Sequence, residues 1–411
     1  MDNVLGIISE YNPFHNGHLY HLETSKEITN SKYTICIMNG NFTQRGNTSV
    51  IDKWSKAEMA ILNGIDLVIE LPTIYGISSA ENFAEGAIKI LNSLNIVNSV
   101  SFGSELGDIT ILDTFAKILH EQPKEYCTML NHELNLGLSF PKARENALLM
   151  YLNDIRKYAN ILSDSNNILA IEYLKALRKY KSNIQPITIK RKAVNYNSNE
   201  KINNIASATG IRRLINDNKF DGIIDVMPNN SYRILKDKIS RGEIVPDISK
   251  FEKEIIYNIR KMSLESIRNL PDVSEGLENS LKTAANSCNN INDLLSMVKS
   301  KRYTLSRLQR ILLYVLLDIS KKDMQDSYKA QPYIRVLGFN ESGQNLLSTI
   351  ANSNPSLPII TSVKKFTQTN NNKILKRMLD IDIFATNIYT LEYEYSSSSN
   401  LDFTTKIIKS H

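Results

Sequence analysis

A chain of 411 residues, 42% hydrophobic and 22% charged, carries enough apolar material for two or three packed domains, which excludes a disordered or fibrous class. Its net charge is +6, and +5 of that falls after residue 215, where 27 Lys and Arg stand against 22 Asp and Glu. Such a basic excess suits a polyanionic partner and is also common on solvated surfaces, so charge alone leaves both open.

Cys36, Cys127 and Cys288 are widely spaced, odd in number and without a C-x-x-C pair. Neither a disulfide framework nor a zinc ribbon is expected, and a reducing cytoplasm is the expected location. Met1-Asp2-Asn3 has no basic n-region, and the apolar run at 4–8 is far shorter than the ~20 residues of a membrane span, so neither export nor a transmembrane helix is expected.

In chain order, the run at 4–8 ends in the turn formers Asn12-Pro13 and predicts a buried strand, with a helix over 17–29 behind it. The pattern then repeats, with strands at 33–38, 65–71 and 97–102 alternating with helices over 53–62 and 81–94. This alternation predicts right-handed crossovers and a parallel sheet covered on both faces, with ligands at the carboxyl ends of its strands. After Gly107 helices dominate, over 109–120, 145–158 and 168–180, before an extended run at 184–191 and a helix starting near Ala208. Residues 228–247, with Pro228, Asn229, Asn230, Gly242 and Pro246, predict an irregular connection into a mostly helical region. That region has helices over 250–267 and 305–317 and compact pieces at 333–339 and 357–363. The segments 367–372 and 396–400 are expected surface loops, and there is no internal repeat.

The segment from Glu10 to His18 lies between the first strand and the first helix, where a doubly wound fold presents backbone N–H groups and a helix dipole to an anion. Gly17 permits close backbone approach, and His15 and His18 can donate to phosphate oxygens as charge develops there. These two histidines are therefore the candidate catalytic groups. Histidines at 15, 18 and 21 can also merely share a helix face, and a zinc site would need a further ligand at a familiar spacing, which is missing. Ser207-Ala208-Thr209-Gly210-Ile211-Arg212-Arg213 opens a later helix; its hydroxyls and free N–H groups can hold a second phosphate edge, or simply cap that helix.

His-x-Gly-His directly after an amino-terminal strand resembles the signature of the HIGH-motif nucleotidylyltransferases, and the 207–213 segment resembles their Ser/Thr-rich second motif. The likeness narrows further. Gly6-Ile7-Ile8-x-Glu10-Tyr11-Asn12-Pro13-Phe14-His15-Asn16-Gly17-His18, then Asn39-Gly40-Asn41-Phe42-Thr43-Gln44-Arg45-Gly46, Phe102-Gly103-Ser104-Glu105, Asn166-Asn167-Ile168-Leu169, Ile205-Ala206-Ser207-Ala208-Thr209 and Arg335-Val336-Leu337-Gly338-Phe339 are similar to the bacterial tRNA(Met) cytidine acetate ligase family.

The resemblance implies an α/β, Rossmann-like HIGH-type nucleotidylyltransferase domain over 1–225 and a mostly helical tRNA-binding region over 226–411. It implies activation of acetate by ATP and acetyl transfer to the wobble cytidine of elongator tRNA(Met), forming N4-acetylcytidine. It places ATP contacts on Ile7, Ile8, Ser9, Glu10, Tyr11, Asn12, Pro13, Phe14, His15, Asn16, Gly17, His18, Leu19 and Tyr20. Further contacts fall on Gly103, Asn167 and Arg191, the last two with Asn166 and Lys190 as neighbouring registers, and on Ser207 and Thr209. Residues 192–199 match the family only loosely and carry no assignment.

Magnesium is expected to arrive with ATP, with no ligand assigned. Lys299, Lys301, Arg302, Arg307 and Arg310, with Tyr303 among them, form the strongest local candidate for RNA contact or else a solvated basic helix face. Another adenylylating enzyme, making a nucleotide cofactor or charging a carrier protein with acetate, and a nonenzymatic RNA-binding module are the competing readings. The roughly 200 residues beyond the core favour RNA over a small cofactor.

Overall fold

The protein is described here from a computed structural model that covers residues 2–154, 158, 161–191, 206–217, 219–274, 276–300, 303–353, 355–395 and 397–410. Continuous apolar runs form the strands β1 (Val4–Ser9), β2 (Tyr33–Asn39), β3 (Leu67–Leu71) and β4 (Ser99–Ser104), with β5 (Gln185–Lys190) more exposed at the edge. All neighbours among these five are parallel. Being covered on both faces, such strands need apolar side chains at every position rather than at alternate ones. Ile7, Cys36 and Val68 enter one core with the helices Lys53–Leu62 and Asn229–Ser240. Ile8, Ile35 and Leu67 enter the other, with Ala80–Ser93, Ile109–Glu121 and Ser165–Lys179.

The sheet runs β5-β4-β1-β2-β3 and continues through β6 (Ile334–Phe339) and β7 (Ile359–Ile360), with β8 (Ile408–Lys409) beside β6. These last three strands come from the carboxy-terminal region. β6 is antiparallel to β3, pairing Arg335 with Glu70. The fold is thus a parallel-dominated α/β sheet whose far edge is supplied by the otherwise helical second region.

Several expectations require correction. Residues 228–247 are not irregular throughout: Asn229–Ser240 is a helix, because Ser231, Ile234 and Leu235 fall on one face and bury it. Asn230 Nδ2 donates to Leu62 O and Ser231 Oγ accepts from Asn63 Nδ2, which ties this helix to the end of Lys53–Leu62. The expected helix at 250–267 is broken after Lys261, where Ser263 caps a separate turn, Leu264–Arg268. Helix Lys124–Asn135 was not anticipated, and the helix expected at 145–158 instead spans Phe140–Leu152, ending at Asn153 with φ 52°. The expected loop at 367–372 begins as helix Val363–Thr369, whose Phe366 is buried.

The second region also braces the loop after β2. Asn41 Nδ2 donates to Thr386 Oγ1 (3.2 Å), Tyr389 donates to Ser49 O (2.9 Å) and Thr48 Oγ1 to Val245 O (2.9 Å). Beneath that loop lies a buried ionic group: Lys53 Nζ is 2.9 Å from Glu70 Oε1, and Arg335 Nη1 is 3.0 Å from Glu70 Oε2, with Asp402 touching both cations. Burial, more than the nearby Glu70 charge, raises the Asp382 carboxyl to about 6, and Tyr333 donates to it. Among the described residues, no helix is long and apolar enough to cross a membrane.

Candidate active site

β1 ends at Ser9, and Tyr11 turns the chain with φ 45° before His15 caps the helix Asn16–Thr29. The cap is reciprocal: the Gly17 N–H donates to His15 Nδ1 (3.0 Å), and the His15 N–H donates to His18 Nδ1 (3.3 Å). An imidazole that accepts at Nδ1 in its neutral form carries its proton at Nε2, so both rings offer Nε2–H donors. The rings stack with centroids 3.8 Å apart, and Tyr11 packs edge-on to His18 at 4.9 Å.

Burial drives both imidazoles toward the neutral form. It lowers His15 to about 3, helped by the charges of Arg191 and Arg212, and holds His18 well below its ordinary value. His21, one turn on, is brought down to about 4 mainly by burial and meets Ser101 Oγ at 3.0 Å, so it is a packed residue tied to β4. Among the described residues no group of three or more His, Cys, Asp or Glu could hold a metal ion.

The remaining members of the 7–20 segment divide by role. Ile7 and Ile8 are packed in the two cores, while Ser9, Glu10, Asn16, Gly17, Leu19 and Tyr20 are partly accessible. Asn12 is a brace: its Nδ2 donates to Thr48 O (3.1 Å) and its Oδ1 accepts from Val50 N–H (2.7 Å). Pro13 and Phe14 are buried behind it, joined to Asn12 by a cis peptide at Pro13.

Sequence reasoning missed Lys56. Its ammonium is fully buried and donates to Glu10 O (3.2 Å), Asn39 O (2.9 Å), Gly40 O (2.6 Å) and Ser49 Oγ (2.9 Å), fastening the carboxyl ends of β1 and β2 together. Burial lowers it to about 8, against the pull of Glu10 and Glu70. Above this clasp, Glu10 Oε1 accepts from Asn39 Nδ2 (3.0 Å) and from the Gln44 N–H (2.7 Å). No local pattern marks this lysine for burial, since its acceptors are three backbone carbonyls and one serine hydroxyl.

Ser207 caps the helix Ala208–Asn216 through Gly210 N–H (3.1 Å), so the plain capping role is real. The helix is nevertheless carried to the first motif: Arg212 Nη1 donates to Asn12 O (3.0 Å) and Nη2 to Thr209 Oγ1 (3.0 Å). On the other flank, a side chain at Gly103 would meet the Arg191 stem at 3.3 Å, so the arginine lies across the glycine at the end of β4. Asn167 is buried and its Oδ1 accepts from Leu106 N–H (3.1 Å), while Glu105 takes the N–H groups of Asn166 (3.4 Å) and Asn167 (2.9 Å). Residues 192–199 and Ile205 lie outside the described residues.

The basic cluster after residue 298 does not stand free. Arg310 is buried and paired with Asp272 (2.9 Å), and Arg307 donates to Asp272 O (2.7 Å) and packs over Tyr303. The Asp272 carboxylate thus neutralises one of the five cations, and its backbone carbonyl holds a second. Lys299 is exposed, and Lys301 and Arg302 lie outside the described residues.

A stacked imidazole pair at the first strand-to-helix turn of a parallel-dominated sheet, with Arg212 reaching the same turn, is the arrangement of a nucleotide-binding α/β protein. The HIGH Nucleotidyl Transferase family model matches residues 2–402. The tRNA(Met) cytidine acetate ligase of Thermoanaerobacter sp. (strain X514) is 47% identical over 406 residues, covering 99% of each chain. That of Acetivibrio thermocellus is 44% identical over 413 residues, covering 98% of this chain and 99% of that one. The crystal structure of Thermotoga maritima TmcAL bound with alpha-thio ATP superposes with a TM-score of 0.91 at 35% identity, over 99% of both chains. Its apo form gives 0.93 over the same coverage. The chain belongs to the HIGH nucleotidyl transferase family, and within it to the tRNA(Met) cytidine acetate ligases.

Proposed function

We propose that this chain is an ATP-dependent, AMP-forming ligase that acetylates the wobble cytidine of elongator tRNA(Met). An acetate oxygen attacks the α-phosphorus of ATP, and the bond to the β-phosphate oxygen breaks, giving acetyl-adenylate and pyrophosphate. The cytidine N4 amine then attacks the acetyl carbonyl, AMP leaves with the former acetate oxygen, and N4 loses a proton. The product is N4-acetylcytidine.

The observation that carries this reading is the His15–His18 pair, locked as acceptors at Nδ1 so that each ring keeps an Nε2–H donor without charge of its own. Donors fixed in this way stabilise the negative charge that grows on the phosphate oxygens and need no reorganisation as it forms. We assign catalytic contact to His15 and His18. Nucleotide contacts are assigned to the partly accessible atoms and backbone of Ile7 to Tyr20, to Gly103, where a side chain would obstruct approach, to Asn167 and Arg191, and to Ser207 and Thr209. Magnesium enters with the triphosphate and offsets its charge, so few protein ligands are needed. Residues 1–225 form the catalytic unit and 226–411 the region that receives tRNA, in the cytoplasm.

The test is acetylation of elongator tRNA(Met) with ATP and labelled acetate, comparing wild type with His18→Ala. N4-acetylcytidine from wild type and its loss in the variant support the reading. Pyrophosphate release with a different acceptor, and none with tRNA, points instead to another adenylylating enzyme. RNA binding without pyrophosphate release points to a binding module.

A further inference from the structure

Arg45 has no assigned part in the reaction, yet it occupies a distinctive place. It follows β2, and its Nη2 donates to Ser165 Oγ at 2.6 Å. Ser165 opens the helix Ser165–Lys179, whose next two N–H groups are held by Glu105, just after β4. β2 and β4 flank β1 on either side and run parallel to it. The Arg45–Ser165 bond therefore joins the loop after β2 to the helix that Glu105 fastens to the end of β4, on either side of β1.

The backbone on either side of Arg45 is fixed. Gln44 donates its N–H to Glu10 (2.7 Å) and its Nε2 to Ser78 O (3.0 Å). Gly46, at φ 79°, lies so close to the helix Leu305–Leu316 that a side chain would sit 2.5 Å from Arg310 N. The Arg45 side chain is nevertheless exposed, and its partner is a neutral hydroxyl. Burial lowers Arg212 against the pull of Glu10, and Arg45 lies near enough to add a smaller repulsion. Arg212 in turn holds Asn12 O, and Arg191 and Arg212 act on His15. An exposed guanidinium held by a single neutral hydroxyl exchanges that partner readily for an anion. The helix N-terminus at Ser165 is already occupied by Glu105, so the cation at this bridge is Arg45 itself.

We propose that Arg45 is a substrate-contacting residue for the outer phosphates of ATP. In the free protein it is parked on Ser165 Oγ, and it exchanges that hydroxyl for the β- and γ-phosphates when ATP binds, then holds pyrophosphate as it leaves. The role rests on the ATP-dependent reading above and extends it to a residue outside the two motifs.

The test is calorimetric binding of ATP, inorganic pyrophosphate and AMP to the full chain, as wild type, Arg45→Ala, Arg45→Lys and Ser165→Ala. Arg45→Ala should weaken ATP and pyrophosphate by about ten- to a hundredfold, the range of one charge-assisted contact, and leave AMP within about twofold. Arg45→Lys should recover part of the loss, and Ser165→Ala should bind ATP as tightly as wild type or more so. Equal weakening of ATP and AMP overturns the proposal, as does unchanged ATP binding with weaker tRNA capture on filters. Wild type that binds neither nucleotide overturns both this role and the ATP reading. Arg45→Lys and Ser165→Ala keep the test decisive if Arg45→Ala is poorly folded.

Discussion

Lys53 Nζ lies 2.7 Å from Asp402 Oδ1, both side chains almost fully buried, so the helix that follows the active-site loop is tied to a residue ten from the carboxyl end. Arg335 shares that carboxylate. Removing one member of a buried ionic group leaves the others without compensation, which costs about 3–5 kcal/mol. Asp402→Ala should lower unfolding free energy by that amount in urea titrations, and it should cost ATP binding only through the folded fraction.

His18→Ala should reduce acetate-dependent pyrophosphate release by about a hundred- to a thousandfold at saturating ATP, because one preorganised donor to the growing phosphate charge is lost. His18→Asn, which keeps a donor, should retain more of the rate. A change confined to KM would show that the imidazole serves binding alone.

Acid should weaken the fold through His15. Its folded pKa of about 3 lies below the ordinary 6.5, so between these values the unfolded chain binds a proton that the folded chain refuses. Stability is therefore complete above pH 6.5 and falls as pH drops toward 3, by about 2 kcal/mol at pH 5 for this group. Denaturant titrations at pH 7.5 and 5 should show that decrement shrink in His15→Asn.

Lys56→Met should destabilise the protein by about 3 kcal/mol, since three carbonyls and the Ser49 hydroxyl lose their donor. With Glu10 and Asn39 no longer fastened, adenylate formation per folded molecule should also fall. Thermal melting read beside active-site-titrated pyrophosphate release separates the two effects.

Arg310→Ala should behave as a packing variant. Arg310 is buried and its partner Asp272 is half-exposed, so unfolding free energy should drop by about 2 kcal/mol while tRNA affinity of the folded protein stays within about twofold of wild type. A selective loss of tRNA affinity would return this residue to the RNA surface.

Local chemistry made much of this protein readable in one dimension. The run from Val4, the turn at Asn12-Pro13 and the His15 cap lie within fifteen residues, and their geometry depends on period, turn residues and capping, which neighbours in sequence decide. The five parallel strands followed for the same reason. Ser207 and Arg212 were legible as a cap and a cation, but not as a helix carried onto Asn12 O.

What only the tertiary structure decided concerns partners far apart in the chain. Lys53 and Lys56 look like a solvated helix face until Glu70, Asp402 and the carbonyls of Glu10, Asn39 and Gly40 close around them. Arg307 and Arg310 look like an RNA surface until Asp272 reaches them. β6 joins β3 by a pairing across more than 260 positions. Where the first strand turns into the first helix was readable from neighbours in the chain; whether a charge is buried, paired or free was set by the fold, because that energy belongs to the groups surrounding the charge and not to its place in the chain.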